Sequence, residues 1–289
     1  MAQAWITLGV VLLSLFIVLY IRSVLFRTDA IPKIIWTYWD TPELPDFVRR
    51  CVEKWRRLHP SWDIRILTPE TVGRYIDEDI FKYKFADTKP RTSDFVRLHV
   101  LARHGGVWAD ASIVPMEPFD WVLDANRSGG YEFISYYRKA ATTKPQWPVI
   151  ESWFFACVPG CQFVQDWRDE LGRMNDLEAE ADYKTDVERR GIDIQGIPQP
   201  NYLNVYLSAQ AVLQTKMSPE EINEKIYVRE ADDGPFRHST RNNWDPPGAM
   251  KWLCGKTPAE VPEMIKIYGL EREALKADPE LECSYWIFE

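Results

Sequence analysis

Apolar positions follow two spacings along the chain, and the alternation of these spacings predicts an α/β protein. Residues 31–36 form a short apolar run, residues 47–59 carry apolar side chains at helical spacing, and residues 62–67 alternate as a half-buried strand does. Pro60 ends the helix between the two strands. A strand, a helix and a strand in this order indicate a parallel βαβ unit.

The next predicted helix begins near residue 92 and ends at two glycines. Thr92 or Ser93 can cap it, and Asp94 would then lie in its first turn, where the helix dipole favours an acid. Gly105 ends the helix, and we expect it to be a left-handed cap.

A short apolar run at residues 107–109 is typical of a buried strand, and Asp110 follows it directly. Ligands of open α/β sheets bind beyond the carboxyl ends of the strands. We therefore expect Asp110 and Ser112 to project into a cleft, with Asp94 and Arg97 facing it from the preceding helix.

These side chains suit a nucleotide sugar. The carboxylate of Asp110 and the hydroxyl of Ser112 can hold a divalent cation that bridges substrate phosphates. Arg97 offers a planar fork of donors to phosphate, and Asp94 can accept hydrogen bonds from sugar hydroxyls. The alternative interpretation is an ordinary surface ion pair, because an acid and an arginine three residues apart share one helix face.

The same stretch resembles the sugar-binding region with a DXD motif that is shared by capsular polysaccharide synthesis proteins, Och1-like (GT32-type) mannosyltransferases and clostridial glucosylating toxins. The residues that carry the resemblance are 93–98, the apolar helix after them and 105–115. Residues 31–39 look like the first strand of the same families, and the resemblance covers about residues 31–118. It implies a GT-A fold, a nucleotide-sugar donor and usually Mn²⁺ or Mg²⁺.

The resemblance also assigns roles to individual residues. Asp110 matches the first Asp of the DXD motif, while Asp94 and Arg97 match residues that hold the sugar and phosphates of the donor. Trp39 matches an aromatic residue that stacks on the nucleobase. The second Asp of the motif is Ser112 here, and a neutral hydroxyl is a weaker metal ligand than a carboxylate.

Two later segments supply further candidates. Glu151 begins a predicted strand at 151–156 and is a candidate for contact with the acceptor, or for the base of an inverting enzyme. Its alternative is a solvated acid at a strand end. Residues 232–240 are a candidate for closing the donor site, with Arg237 binding phosphate and His238 reaching the metal. The alternative for this segment is an exposed polar loop.

The remaining pattern predicts several more elements. The strands are expected at 119–123, 131–137 and 226–228, and the helices at 163–174, 201–214 and 262–275. Residues 175–199 are charged and predict the fringe of a helix followed by a mobile loop on the acceptor side. Residues 283–288 form an apolar tail that we expect to dock on the body.

Composition narrows the class of protein. The chain has 289 residues with 46% hydrophobic content, which is enough for one sizeable domain. Its net charge of −8 gives no basic surface for nucleic acid. The thirteen tryptophans are expected mostly in the core, and the five cysteines show no zinc-binding spacing.

An uncharged apolar segment at residues 5–21 is long enough to span a bilayer, and no cleavage site follows it. We therefore expect a single-pass membrane anchor at 1–27. The basic residues Arg22, Arg27 and Lys33 lie after the span and place the following domain in the cytosol by the positive-inside rule. A glycosylation sequon at Asn126 favours the lumen of the Golgi or the endoplasmic reticulum instead.

Together these patterns predict a membrane-anchored, metal-dependent glycosyltransferase of GT-A fold, with its domain at 28–289. It would transfer a sugar from a nucleotide-sugar donor to a glycan or glycoconjugate acceptor, and most families that it resembles retain the anomeric configuration. The alternative is a non-catalytic scaffold that binds nucleotides or glycans at a membrane. A glycoside hydrolase would need two carboxylates facing each other across the bond, and the strongest motif offers phosphate-type ligands instead.

Overall fold

The computed structural model describes residues 30–278, 281 and 287–288. The predicted anchor at residues 1–27 lies outside the described residues. Within the part of the chain that is described, no helix combines the length and the apolar character needed to cross a bilayer.

A six-stranded sheet occupies the centre of the fold, in the order β2–β1–β3–β6–β5–β7. Five of its strands point in one direction and only β6 is reversed. A separate antiparallel pair joins β4 to β8. The strands are β1 (Ile34–Tyr38), β2 (Asp63–Leu67), β3 (Gly106–Ala109), β4 (Ile113–Pro115), β5 (Phe133–Tyr137), β6 (Ile150–Cys157), β7 (Ile226–Glu230) and β8 (Met264–Lys266). The predicted α/β class, with a mostly parallel sheet, is confirmed.

Ten α-helices surround these sheets among the described residues. They are α1 (Asp46–Leu58), α2 (Lys89–His104), α3 (Asp120–Gly129), α4 (Gln162–Gly172), α5 (Asp182–Arg189), α6 (Asn204–Lys216), α7 (Pro219–Lys225), α8 (Arg237–Thr240), α9 (Pro246–Cys254) and α10 (Gly269–Ala277). Single 3₁₀ turns occur at Val72–Arg74, Ile80–Lys82, Arg173–Asp176 and Pro258–Glu260.

The predicted parallel βαβ unit is present as β1, α1 and β2. Val48, Val52 and Trp55 lie on one buried stripe of α1. The indole of Trp55 donates a hydrogen bond to the carbonyl oxygen of Ile113 at 2.9 Å. This bond joins α1 to the small sheet that follows the predicted site.

Helix α2 begins earlier than the sequence predicts. It starts at Lys89, with Pro90 in its first turn, so Asp94 lies in the second turn and not in the first. The hydroxyl of Thr92 donates to the Thr88 carbonyl oxygen inside the helix instead of capping it. Every position from 94 to 102 is buried, because the helix crosses the core and does not lie on the surface.

Gly105 ends α2 as predicted, but in a different backbone conformation. Its φ of +62° and ψ of −162° lie in a region that only glycine occupies readily, outside the left-handed helical region. A Cβ atom at this position would lie 2.6 Å from the backbone nitrogen of Pro159. Gly105 therefore allows α2 to turn directly into β3.

Two predicted elements are wrong. Residues 119–123 are not a strand but the start of α3, which ends before Gly130 in the left-handed conformation. Residues 262–275 are not one helix, because β8 and then α10 occupy this stretch. Pairing of β8 with β4 places Lys266 beside Ile113, a non-local contact that local spacing does not show.

Two groups of buried apolar residues support the fold. The larger group packs on both faces of the six-stranded sheet. The second core lies around α1, α9 and the β4–β8 pair, and includes Val114, Met250, Ile265, Ile287 and Phe288. The predicted docking of the tail is therefore confirmed at 287–288.

Candidate active site

The predicted cleft residues lie at the carboxyl edge of the large sheet. Strand β3 is parallel to β1, with Trp36 beside Trp108, so Trp39 and Asp110 leave the same edge. The backbone nitrogen of Asp110 donates to the Trp153 carbonyl oxygen on β6 at 2.9 Å. The position of Asp110 is thus set by strands on both sides of β3.

The carboxylate of Asp110 accepts hydrogen bonds from three side chains. One oxygen lies 3.1 Å from the guanidinium of Arg97 and 3.0 Å from the indole nitrogen of Trp108. The other lies 2.6 Å from the ammonium of Lys266. Asp110 is only partly exposed, and two cations hold its carboxylate in place.

Arg97 connects α2 to the end of β3 and to β6. One terminal nitrogen donates to the hydroxyl of Ser152 at 2.7 Å and lies 3.1 Å from Asp94. The other donates to Asp110 and to the Ser93 hydroxyl at 3.1 Å. Because both terminal nitrogens are engaged and the side chain is buried, Arg97 orients the two aspartates in this structure.

Asp94 lies between two arginines of its own helix. Arg91 approaches one carboxylate oxygen at 2.9 Å and Arg97 the other at 3.1 Å. Arg91 is held in turn by Glu180 and by the carbonyl oxygen of Tyr202. The alternative interpretation predicts an ion pair between Asp94 and an arginine three residues away. This pair is present, but it is buried within the site and does not lie on the surface.

The pKa values of the two aspartates, Asp94 and Asp110, shift in opposite directions. Burial alone would raise the pKa of Asp110, but the charges of Lys266 and Arg97 outweigh burial and lower that pKa. Burial raises the pKa of Asp94, against the opposing charges of Arg97 and Arg91. The carboxylate of Asp110 is therefore the more firmly ionised of the two.

The two side chains predicted to hold a metal ion both contact Lys266. The ammonium lies 2.6 Å from an oxygen of Asp110 and 3.2 Å from the hydroxyl of Ser112. Among the described residues, no cluster of three acidic, histidine or cysteine side chains could hold a metal ion. Mn²⁺ or Mg²⁺ does not fit this arrangement well, because it would share its ligands with an ammonium group and lie near Arg97.

Glu151 does not face a cleft. Its side chain is fully buried on β6, accepts a hydrogen bond from the hydroxyl of Tyr206 and lies 3.7 Å from Arg138. Burial raises the pKa of Glu151 to about 7, against the charge of Arg138. Both predicted positions for Glu151, at an acceptor contact and at a solvated strand end, differ from the one observed.

Arg237 and His238 make their hydrogen bonds with other residues than Asp110 does. Arg237 on α8 donates to the carbonyl oxygen of Asp233 at 2.8 Å and lines a groove beside Trp121. His238 is buried and lies 3.2 Å from the carboxylate of Glu271. The contacts found in the described part of the chain do not connect either residue directly to Asp110.

Three residues near the site were not identified from the sequence. Lys266 contacts Asp110, and Arg272 lies close enough to interact with the charge of Asp110. Tyr202, on the loop before α6, is 56% exposed. The partial burial that remains, together with the charge of Asp94, raises the pKa of its hydroxyl. A single lysine inside the apolar run 264–267 was the available signal for Lys266.

Comparison with known proteins gives a consistent family assignment. A family model described as "Capsular polysaccharide synthesis protein" matches residues 25–173, just over half of the chain. O-glycosyltransferase braB of Annulohypoxylon truncatum is 25% identical, over 72% of this chain and 55% of that protein. Glycosyltransferase afumC of Aspergillus fumigatus is 26% identical, over 49% of this chain and 40% of that protein. The chain spans about half the length of the curated relatives it matches.

Two solved structures are also similar. A glycosyltransferase involved in the glycosylation of the major capsid of PBCV-1 has a TM-score of 0.43 at 9% identity, over 85% of this chain and 98% of that one. The PaToxG glycosyltransferase has a TM-score of 0.40 at 12% identity, over 85% of this chain and 84% of that one.

Proposed function

Because the chain belongs to the family of capsular polysaccharide synthesis proteins, we propose that it is a glycosyltransferase. It transfers a sugar from a nucleotide-sugar donor to a glycan or glycoconjugate acceptor, on a fold of the GT-A type. Two curated relatives named as glycosyltransferases support this proposal. The observation that carries it is the position of Asp110 at the carboxyl end of β3, where ligands of such sheets bind.

The charge at the site supports an anionic ligand. Three cationic side chains pair with three carboxylates within one connected group: Arg91, Arg97 and Lys266 with Asp94, Asp110 and Glu180. The carboxylates of this group are thus neutralised by cations, in contrast to the net charge of −8 for the whole chain. A donor diphosphate would be attracted to such a site, whereas a neutral glycan would gain little from it.

We propose that the reaction retains the anomeric configuration. The bond between the anomeric carbon and the diphosphate oxygen breaks, and its electron pair stays with that oxygen. The acceptor hydroxyl oxygen forms the new bond on the same face, and its proton passes to the leaving diphosphate. This route needs no protein base, which agrees with the burial of Glu151. The NMR signal of the first-formed anomer tests it, and an inverted product would contradict it.

The geometry of the site supports a proposal for the residues that touch the donor. Trp39 is half-buried at the same sheet edge as Asp110 and is proposed to stack on the nucleobase. Asp94 and Asp110 are proposed to accept hydrogen bonds from the sugar, with Arg97 fixing both carboxylates. Tyr202 lies at the exposed rim, where its ring could cover a bound sugar.

The first test is donor cleavage by the full-length chain. A panel of nucleotide sugars is screened for diphosphate release with wild type, Asp110→Asn and the surface control Asp124→Asn. We expect release from one donor, a loss of about 100-fold or more in Asp110→Asn, and no change in the control. Circular dichroism checks that Asp110→Asn is folded.

The scaffold alternative makes a different prediction in the same assay. A scaffold would release no diphosphate from any donor, even when acceptor glycans are added and the wild-type protein is folded. Unchanged turnover by folded Asp110→Asn would place the reaction elsewhere in the chain.

We also propose that residues 1–27 anchor the chain in a membrane, with the domain on the cytosolic side. The basic residues after the apolar segment support this orientation. The amide nitrogen of Asn126, which a lumenal enzyme would glycosylate, is buried and donates to the Tyr131 carbonyl oxygen at 2.8 Å. Protease protection in sealed vesicles tests the orientation, and a protected domain would contradict it.

A further inference from the structure

The ammonium of Lys266 takes the place in which the family resemblance predicts a divalent cation. It lies 2.6 Å from Asp110 and 3.2 Å from Ser112, the two residues assigned to the metal by the sequence. We propose that Lys266 is the counter-charge for the donor diphosphate, so that this chain binds nucleoside diphosphates without a metal ion. The inference rests on the proposed function, because it concerns the donor site of the same reaction.

The backbone holds Lys266 firmly in this position. Strand β8 pairs with β4 so that Lys266 lies beside Ile113, immediately after the turn that carries Asp110 and Ser112. The backbone nitrogen of Lys266 also donates to the carbonyl oxygen of Pro235 at 3.0 Å. The residue therefore enters the site from a paired strand and not from a mobile surface loop.

The contacts of the side chain leave it able to bind an anion. An ammonium group has three N–H donors. Asp110 and Ser112 account for two of them among the described residues, and Trp153 places an aromatic ring 6.0 Å away. The partly exposed carboxylate of Asp110 marks the side on which the site opens. A phosphate oxygen arriving there can accept the third N–H.

The charges favour the lysine over a metal ion. Lys266 and Arg97 already neutralise Asp110 and Asp94. Ser112 contributes no negative charge, so a divalent cation would meet one carboxylate and several cations. A diphosphate at the same place would be attracted by these cations and repelled by only one carboxylate.

In the reaction, Lys266 would act on the leaving group. As the anomeric carbon–oxygen bond breaks, negative charge grows on the diphosphate oxygen that keeps the electron pair. An ammonium fixed beside that oxygen stabilises this charge before the acceptor proton reaches it.

The test is calorimetric binding of uridine diphosphate and guanosine diphosphate, tried in turn, to the full-length chain. Titrations are run in excess EDTA and again with Mn²⁺. We expect wild type to bind one of the two equally well, within about two-fold, in both buffers. Lys266→Met should weaken binding in EDTA by about ten-fold or more, since a charge-assisted hydrogen bond is lost.

Two further variants separate charge from folding. Lys266→Arg keeps the positive charge and should retain most of the affinity. Lys276→Met removes an exposed lysine that pairs with Glu273, and should bind as wild type does. Lys266→Met alone leaves the carboxylate of Asp110 without its cation, and that carboxylate could repel the diphosphate. The double variant Asp110→Asn/Lys266→Met removes both charges, so a loss of binding in this folded protein does not come from that repulsion.

The results separate this inference from the proposed function. Wild-type binding that disappears in EDTA and returns with Mn²⁺ would overturn the lysine proposal and leave the glycosyltransferase proposal intact, and so would a Lys266→Met protein that binds in EDTA as wild type does. Absence of binding in both buffers, for folded wild type, would overturn both.

Discussion

At the scale of single residues, the charged side chains of the site have other partners in the structure than the sequence motif suggests. The motif suggests that Arg97 binds the donor and that Asp110 and Ser112 bind a metal. In the structure, Arg97 pairs with two aspartates, and Lys266 contacts both Asp110 and Ser112. A motif gives the residue types along one stretch, whereas one of the cations that hold Asp110, Lys266, comes from a strand more than 150 residues later.

Glu151 carries a residue-scale prediction about stability. Its pKa is raised to about 7 in the folded protein because the side chain is fully buried, while an unfolded Glu titrates near pH 4.5. Between these values the folded state binds more protons, so stability falls as pH rises from about 4.5 to about 7. The full effect is on the order of 3 kcal/mol.

Glu151→Gln removes this titration and keeps the shape of the side chain. Relative to wild type, the variant should gain stability between pH 5 and pH 8 by up to about 3 kcal/mol. Urea unfolding at both pH values measures the difference. The exposed Glu224→Gln on α7 serves as control and should follow wild type. A parallel response of Glu151→Gln and wild type would show that the buried carboxyl is already ionised at pH 5.

At the scale of elements, long periodic segments could be predicted and short apolar runs could not. The βαβ unit, α2 and β3 are visible because their apolar positions repeat over several turns or fill a whole strand. The predictions for residues 119–123 and 262–275 are wrong because a run of three or four apolar residues is equally compatible with a helix and with a strand. Only the pairing of β8 with β4, which no local pattern encodes, decides the second case.

Gly105 gives a prediction about the junction between α2 and β3. Gly105→Ala should cost more than the about 1 kcal/mol of an unfavourable φ, because the new Cβ would meet backbone atoms of Cys157, Val158 and Pro159 within 2.8 Å. Gly130→Ala is the control for a positive φ alone, since Gly130 is left-handed helical and no atom lies within 4 Å of the added Cβ. Chemical unfolding measures both variants.

The order of the two costs is the informative result. A loss of several kcal/mol for Gly105→Ala and about 1 kcal/mol for Gly130→Ala is expected. Equal losses would mean that the β6–α4 connection moves away easily, and that the close approach of Pro159 does not hold the junction. The change should also weaken donor binding, because this junction sets the distance between Arg97 and Asp110.

At the scale of the whole molecule, the candidate site lies between two cores. The sequence predicts one of these cores better than the other. The main core follows the sheet that the alternation of strands and helices predicts. The second core depends on contacts of α1 and the β4–β8 pair with residues 287–288, far away in the chain. It supports β8 and therefore Lys266, which is why the chemistry of the site could be only partly predicted.

Phe288 gives the prediction that belongs to this scale. Its ring is buried against Phe47, with a centroid distance of 5.3 Å, and the guanidinium of Arg50 lies 4.1 Å from the ring centre. Phe288→Ala should lower the free energy of unfolding by about 3 kcal/mol. The same substitution at exposed Phe81 should cost about 0.5 kcal/mol or less.

If the second core positions Lys266, the effect of Phe288→Ala should reach the donor site. Calorimetry of a nucleoside diphosphate below the unfolding temperature should then show weaker binding in Phe288→Ala and unchanged binding in Phe81→Ala. A protein that is destabilised yet binds as wild type would show that pairing with β4 alone holds Lys266 against Asp110. A Phe288→Ala protein as stable as Phe81→Ala would mean that the tail rests on the second core without contributing to it.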